Sequence, residues 1–137
     1  MQLPYKANKL KMSKEKMNDT KTSNNSAIDK AVDALVRHAD TSEKSIERYL
    51  VGECEKRGWL CLKYANMTGA GYPDRLIVMD GGLTAWCELK SAGRLMRPIQ
   101  QRRYEQLTAM GHIVNVCDSR AAVDDCILRL ERYAAGL

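Results

Sequence analysis

The sequence contains only two histidines, and none of its five cysteines belongs to a C-x-x-C pair. Histidines so few and scattered argue against a zinc site. An odd cysteine count, with most thiols inside apolar runs, favours free thiols in a reducing, cytoplasmic setting. No apolar run approaches the roughly 20 residues of a membrane span, and the N-terminus lacks the apolar block of a signal peptide. We therefore expect a soluble protein that is not secreted and not membrane-bound.

The 137 residues carry a formal net charge of +5. A chain of this length has room for one domain of ordinary size. A positive balance suits a polyanionic partner, but such a charge also occurs in proteins that never contact nucleic acid. Composition alone therefore does not choose between these interpretations.

Changes in composition divide the chain into three parts. Residues 1–26 are rich in Lys, Asn, Ser and Thr with little apolar periodicity, and we interpret them as a flexible basic tail. Residues 27–40 have apolar residues at helical spacing and predict a short helix. Residues 41–137 contain the strongest signals, and we interpret them as the functional domain.

Within 41–137 the pattern predicts a mixed α/β fold with the order α-β-β-β-α-β-α. Asp40 and Glu43 resemble a capping box for the first helix, and Pro98 suits the first turn of the second. The predicted elements are a helix over 41–57, strands over 59–64, 74–79 and 83–90, a helix from 98 to about 110, a strand over 112–117 and a helix ending near 133.

The triplet Asp80-Gly81-Gly82 predicts a hairpin between the second and third strands. If it is a three-residue turn, Met79 faces Leu83 and Asp74 faces Glu88. Directly paired residues have Cβ atoms about 5 Å apart, and Lys90, two residues after Glu88, points to the same side of the sheet. A two-residue turn would break this match, so the expectation depends on the turn.

Two carboxylates at that separation repel each other unless a cation lies between them. Hard oxygen ligands without sulfur or imidazole select Mg²⁺ or Mn²⁺, and such an ion beside Lys90 would suit phosphodiester hydrolysis. The ordinary alternative is that Asp74 belongs to a turn and that Glu88-Leu89-Lys90 is a solvated end of the hairpin.

The motifs Gly71-x-Pro73-Asp74-Arg75, Glu88-x-Lys90 and Gly93-Arg94-Leu95, followed by Pro98-x-Gln100 and Gly111, together resemble the VRR-NUC family of PD-(D/E)XK nucleases. The resemblance covers about residues 42–127. It implies a restriction-endonuclease-like core, a mixed central sheet flanked by helices, and Mg²⁺- or Mn²⁺-dependent cleavage of structured DNA without a nucleotide cofactor. It also implies a homodimer that resolves four-way (Holliday) junctions in a bacterial cell or a virus-infected host.

The resemblance also implies the roles of individual residues. Asp74, Glu88 and the backbone carbonyl of Leu89 become the metal ligands, Lys90 the catalytic lysine and Gln100 the glutamine on the following helix. The remaining acid of such sites lies on the first helix, where Glu47 and Glu43 are both candidates. They lie four residues apart on one helix face. We favour Glu47, because Glu43 already has a purpose in the predicted cap.

Several basic and polar residues are candidate DNA contacts. A cluster of arginines follows Lys90, and its alternative interpretation is a solvated helix face. The loop that begins this cluster is one residue longer than is usual in the family. The candidate contacts are Lys63, Asn66, Thr68, Arg75, Arg94, Arg97, Arg102 and Arg103.

Two other functions remain open at this point. One is a DNA-docking module that has the nuclease fold without its chemistry, against which the intact Asp74, Glu88 and Lys90 argue. The other is a nuclease of the same fold that acts on ordinary duplex or single-stranded DNA. The sequence does not separate these substrates.

Overall fold

The structure is a computed structural model that describes residues 26–35, 41–65, 67 and 69–137. The predicted tail up to residue 25, the proposed cap residue Asp40, and the candidate contacts Asn66 and Thr68 lie outside these residues. Residues 26–35 form helix α1, with Ile28, Val32 and Leu35 exposed at helical spacing. It overlaps the short helix predicted over 27–40 at residues 27–35, and residues 36–40 lie outside the described part of the chain.

The remaining elements follow in the predicted order α-β-β-β-α-β-α. They are α2 (Glu43–Glu55), β1 (Leu60–Lys63), β2 (Arg75–Val78), β3 (Thr84–Leu89), α3 (Pro98–Ala109), β4 (Ile113–Cys117) and α4 (Arg120–Ala134). Helix α2 was predicted over 41–57 but begins at Glu43, because Ser42 caps it and accepts a hydrogen bond from the Ser45 N–H at 3.2 Å. Ser is as good a capping residue as Asp, so sequence alone could not choose between them.

The four strands form one mixed sheet in the order β1-β2-β3-β4. The first three pair antiparallel, and β4 pairs parallel to β3. Helix α3 makes the crossover that a parallel pair requires. Because β4 lies beside β3, the Lys90 N–H donates to the Cys117 carbonyl at 3.0 Å.

Helices α2 and α4 cover one face of the sheet and form the hydrophobic core with it. Along β3, Ala85, Cys87 and Leu89 point into this core and are almost completely buried. Their helical partners are Ile46, Leu50 and Cys54 from α2 and Val123, Cys126, Ile127 and Leu130 from α4. All five cysteines are free thiols. In the described part of the chain no helix combines the length and apolarity that a membrane span requires.

The opposite face of the sheet is less completely covered. Helix α3 packs against β4 on this side. Farther along the sheet, the rings of Tyr64, Tyr72 and Trp86 form a cluster with centroid separations of 4.9 to 6.5 Å. Leu60 and Leu62 on the edge strand β1 are 57% and 46% exposed. The alternation of side chains along each strand therefore produces one buried face and one partly exposed face.

Candidate active site

The hairpin between β2 and β3 brings Asp74 and Glu88 to one end of the sheet. Arg75 pairs with Cys87, and the Met79 N–H donates to the Leu83 carbonyl at 2.9 Å. Asp74 immediately precedes and Glu88 immediately follows the first of these pairs. The three-residue turn and its register were thus predicted correctly. Gly81 and Gly82 both have a φ of 75°, which explains why glycine follows Asp80 in the turn.

Glu88 is the most buried charged residue of this region, at 2% exposure. Its Oε1 accepts hydrogen bonds from Lys90 Nζ at 2.8 Å and from Gln100 Nε2 at 2.6 Å. Its Oε2 is buried and has no hydrogen-bond partner among the described residues. Burial raises the pKa of Glu88, and the neighbouring Asp74 and Glu43 raise it further, while Lys90 opposes them. The site therefore holds a carboxylate that lacks part of its solvation.

Asp74 is held against the end of β3 by a backbone hydrogen bond. The Leu89 N–H donates to Asp74 Oδ2 at 2.9 Å, and the Tyr64 N–H donates to the Asp74 carbonyl at 2.8 Å. The backbone of Leu89 consequently lies beside the carboxylate, while its side chain is buried in the core. Asp74 and the predicted carbonyl ligand are neighbours.

Gln100 links helix α3 to Glu88. Its Oε1 accepts from the Arg97 N–H at 2.9 Å at the start of the helix, and its Nε2 donates to Glu88. Pro98 occupies the first turn, as the sequence predicts. The buried amide therefore fixes the orientation of Glu88 relative to the helix.

Gly71 allows the loop before Asp74 to approach α3. Its φ is +84°, and a Cβ at this position would lie 2.6 Å from the carbonyl oxygen of Ile99. Any side chain would force the loop away from the helix. This close approach gives a physical reason for glycine in the Gly71-x-Pro73-Asp74 motif.

A cleft of about 470 Å³ opens over these groups. It is lined by Glu43, Asp74, Glu88, Lys90, Ser91, Arg94, Leu95, Arg97 and Gln100. Ser91 and Leu95 were not predicted, because the pose of the long loop after Lys90 carries no sequence signal. The cleft thus combines carboxylates at its base with two arginines from the loop.

Two acids of α2 are candidates for the site, and the structure brings Glu43 to the cleft but not Glu47. Glu47 Oε1 accepts from Arg75 Nη2 at 2.6 Å and from Arg75 Nε at 2.9 Å. Four residues advance a helix by about 6 Å along its axis, which separates two acids that share a helix face. On this placement we favour Glu43 over Glu47 as the candidate helix-borne acid.

The predicted DNA contacts do not all lie at the cleft. Arg94 and Arg97 line it, whereas Arg75 is only 16% exposed and is occupied by Glu47 and the Cys61 carbonyl. We therefore no longer favour Arg75 as a DNA contact. Lys63 lies across from Arg75 in the β1–β2 pair, with its ammonium 3.9 Å from Glu47, and is not among the cleft residues.

The other two arginines are on α3. The Arg103 guanidinium lies 4.6 Å from the Tyr72 ring centroid, and its Nε donates to the Ala70 carbonyl at 3.1 Å. It braces the loop that leads to Asp74. Arg102 is exposed on the same helix and does not line the cleft.

Comparison with known proteins finds similarity both in sequence and in structure. Over 78 residues the chain is 38% identical to a protein named "Putative nuclease p44" from Acyrthosiphon pisum secondary endosymbiont phage 1, covering 57% of this chain and 84% of that protein. A solved structure described as a VRR_NUC domain matches with a TM-score of 0.60 and 28% identity, covering 64% of this chain and 95% of that one. No family model matches the chain.

The chain belongs to the VRR-NUC family of nucleases. Almost the whole length of the solved VRR-NUC domain is matched, which confirms the predicted restriction-endonuclease-like fold with its mixed sheet flanked by helices. In this VRR-NUC chain, Asp74, Glu88 and Lys90 belong to the motifs that resemble the family, and all three line the cleft.

Proposed function

We propose that this VRR-NUC nuclease is a Mg²⁺- or Mn²⁺-dependent DNA endonuclease whose catalytic groups are Asp74, Glu88 and Lys90. The observation that carries the proposal is the buried Glu88 carboxylate, whose Oε2 has no hydrogen-bond partner among the described residues. A buried charge with an open coordination position is costly unless a cation compensates it. The adjacent Asp74 and Glu43 increase that need.

The donor set fits a hard divalent cation. Asp74 and Glu88, with the Leu89 carbonyl and Glu43 nearby, offer only oxygen atoms, which Mg²⁺ and Mn²⁺ prefer. The chemistry that such an ion supplies when bound is Lewis-acid polarisation of a phosphoryl oxygen and a lowered pKa of water. Glu43 replaces Glu47 in this proposal, because it faces the cleft.

The chain's own groups supply the remaining steps. Lys90 holds its ammonium 2.8 Å from Glu88 Oε1, where it can orient the attacking water and stabilise the negative charge that develops on the phosphate. Gln100 fixes Glu88 through its 2.6 Å hydrogen bond. Arg94 and Arg97 at the rim can neutralise the phosphates that flank the cut.

We further propose that the substrate is branched DNA and that the nuclease acts as a homodimer. The support is the family resemblance together with symmetry: a four-way junction has two-fold symmetry, and two copies related by a two-fold axis would present two clefts for paired cuts.

The decisive experiment is cleavage of a labelled four-way junction and its matched duplex by wild type and Asp74→Asn. Each reaction is run with Mg²⁺, Mn²⁺, Ca²⁺ or EDTA. Asp80→Asn is the matched control, because Asp80 is an exposed aspartate in the hairpin turn outside the cleft. We expect metal-dependent paired nicks in the junction with wild type and Asp80→Asn, and none with Asp74→Asn.

Other outcomes have distinct meanings. Equal cleavage of junction and duplex would reject the branched substrate while leaving the metal-dependent nuclease intact. Binding without cleavage under every metal would reject the catalytic proposal in favour of a DNA-docking module. Sedimentation of a single copy at micromolar concentration would reject the homodimer.

A further inference from the structure

A second groove, of about 760 Å³, is lined in part by the loop that follows Lys90. Its lining includes Arg94, Leu95, Met96, Tyr104, Val116 and Asp118. Arg94 and Leu95 also line the catalytic cleft, so the two spaces share one wall. A ligand in the groove would be a near neighbour of a phosphate held in the cleft.

The groove lies where strand topology favours a ligand site. Val116 is near the end of β4, and Asp118 follows that strand directly. Strands β3 and β4 are parallel, so their carboxyl ends meet at the same edge of the sheet as Lys90. Ligands of α/β folds commonly bind in the crevice beyond such strand ends.

The lining combines apolar side chains with a few polar groups. Tyr104 offers an aromatic ring, and Leu95, Met96 and Val116 offer aliphatic surface. Asp118 offers a hydrogen-bond acceptor of the kind that pairs with the amino group of a base, and Arg94 offers a cation for a phosphate. Proteins that bind unpaired nucleotides commonly combine an aromatic ring, on which a base stacks, with a cation that contacts the phosphate.

We propose that this groove binds an unpaired nucleobase of the nucleic-acid substrate, with the base stacked on Tyr104 and its phosphate beside Arg94. This inference rests on the proposed nuclease function and adds a recognition element to it. A base within a duplex could not enter, because its faces are covered by neighbouring bases. The groove would therefore make the enzyme prefer DNA with an unpaired nucleotide next to the cut.

The test compares binding of two labelled DNA molecules by fluorescence anisotropy in Ca²⁺. One is a fully paired duplex, and the other is the same duplex with a single unpaired 2-aminopurine. The proteins are wild type, Tyr104→Ala, Tyr104→Phe and, as a matched control, Tyr133→Ala, which removes a 46% exposed tyrosine on α4.

We expect wild type to bind the bulged DNA on the order of 10-fold more tightly than the duplex, as base–aromatic stacking would give. Tyr104→Ala should lose this preference while binding the duplex as wild type does. Tyr104→Phe and Tyr133→Ala should keep it. The fluorescence of 2-aminopurine should change on binding only in proteins that retain an aromatic residue at position 104.

A wild type without preference, or a Tyr104→Ala that keeps it, would overturn the inference. So would a change in sedimentation mass of Tyr104→Ala, which would make the groove an interface between copies. Failure of the proposed function is distinguishable: if wild type cleaves no DNA with Mg²⁺ or Mn²⁺ but the preference is present and depends on Tyr104, the catalytic proposal fails and the groove stands.

Discussion

The two faces of the central sheet carry different kinds of residues although they are built from the same strands. Along β3, Ala85, Cys87 and Leu89 face the core under α2 and α4, while Trp86 and Glu88 face the side of α3. The first set excludes water and is apolar. The second set includes a buried carboxylate with one oxygen that no described residue satisfies.

This difference indicates that one face of the sheet mainly stabilises the fold and the other carries the groups of the candidate active site. Burial of apolar side chains stabilises a fold by about 25 cal/mol per Å² of surface removed from water, so the α2/α4 face should account for most of the stability. A buried acid beside other acids destabilises the folded state unless a ligand compensates it. Substitutions on the α2/α4 face should therefore mainly lower the unfolding free energy, and substitutions on the opposite face should mainly lower the activity.

The largest effect should come from Glu88→Gln. Loss of the carboxylate should reduce DNA cleavage at least about 10³-fold, since both cation binding and charge compensation depend on it. The unfolding free energy, measured by urea titration in EDTA, should change less than in a core substitution, because the amide removes a poorly solvated charge but also takes away the ion-pair partner of Lys90, and the two effects oppose each other. A loss of stability as large as that of a core substitution would show that Glu88 is mainly structural.

On the core face, Leu50→Ala should lower the unfolding free energy by about 2 to 5 kcal/mol, because it leaves a cavity at a fully buried position. Leu62→Ala is the matched control, since Leu62 is 46% exposed, and it should cost less than about 1 kcal/mol. Below its melting transition, Leu50→Ala should cleave DNA at nearly the wild-type rate. A loss of activity in Leu50→Ala that is still folded would contradict the assignment of this face to stability alone.

The two glutamates of α2 provide a sharper comparison within one helix. Glu43→Gln should reduce cleavage by about 10- to 100-fold with little change in stability, as expected for a group at the reaction site. Glu47→Gln should keep most activity but cost about 1 to 3 kcal/mol of stability, because a charged hydrogen-bonded partner of Arg75 is lost. The reverse pattern would restore Glu47 as the catalytic acid.

The arginines allow the same comparison for binding. Each of Arg94→Gln and Arg97→Gln should reduce the slope of log Kd against log salt by about one, since each removes one phosphate contact. Arg75→Gln should leave the slope unchanged because Arg75 pairs with Glu47. The slopes are measured by anisotropy titrations with Ca²⁺. An equal loss in all three variants would place Arg75 among the DNA contacts.

The smallest effect is the pH dependence of stability without metal. Burial raises the pKa of Glu88 above the ordinary 4.5, so the folded protein retains a proton that the unfolded chain releases. The stability of wild type should therefore fall as pH rises from about 4.5 through the raised pKa. Glu88→Gln should lack this component, as melting curves from pH 4 to 8 in EDTA would reveal. Equal pH profiles would contradict the burial argument.

Much of the fold and the placement of Asp74 and Glu88 were predictable because the signals are local. The Asp-Gly-Gly turn sets the hairpin register, and the register brings Asp74 opposite Glu88. The position of Arg75 was also within reach of sequence reasoning. Neighbours in a strand point to opposite faces, so Asp74 and Arg75 could not both face the cleft.

The choice between Glu43 and Glu47 was not predictable from sequence. The two acids share a helix face. The side chain of Arg75, which reaches across from β2, forms an ion pair with Glu47, and this contact between distant residues has no signal in the sequence. The loop over 91–97 is a similar case. Its pose depends on a contact between distant parts of the chain, the hydrogen bond that the Ala92 N–H donates to the Thr41 carbonyl at 3.3 Å.

The backbone hydrogen bond from Lys90 to Cys117 has a consequence for biosynthesis. Lys90 belongs to the hairpin, but its main chain is fixed by a strand that is made only after helix α3. During translation the hairpin can close early, with Asp74 and Glu88 already paired, while the lysine still lacks its anchor. A chain that ends before β4 should thus keep the pairing of Asp74 with Glu88 but lack the main-chain anchor of Lys90.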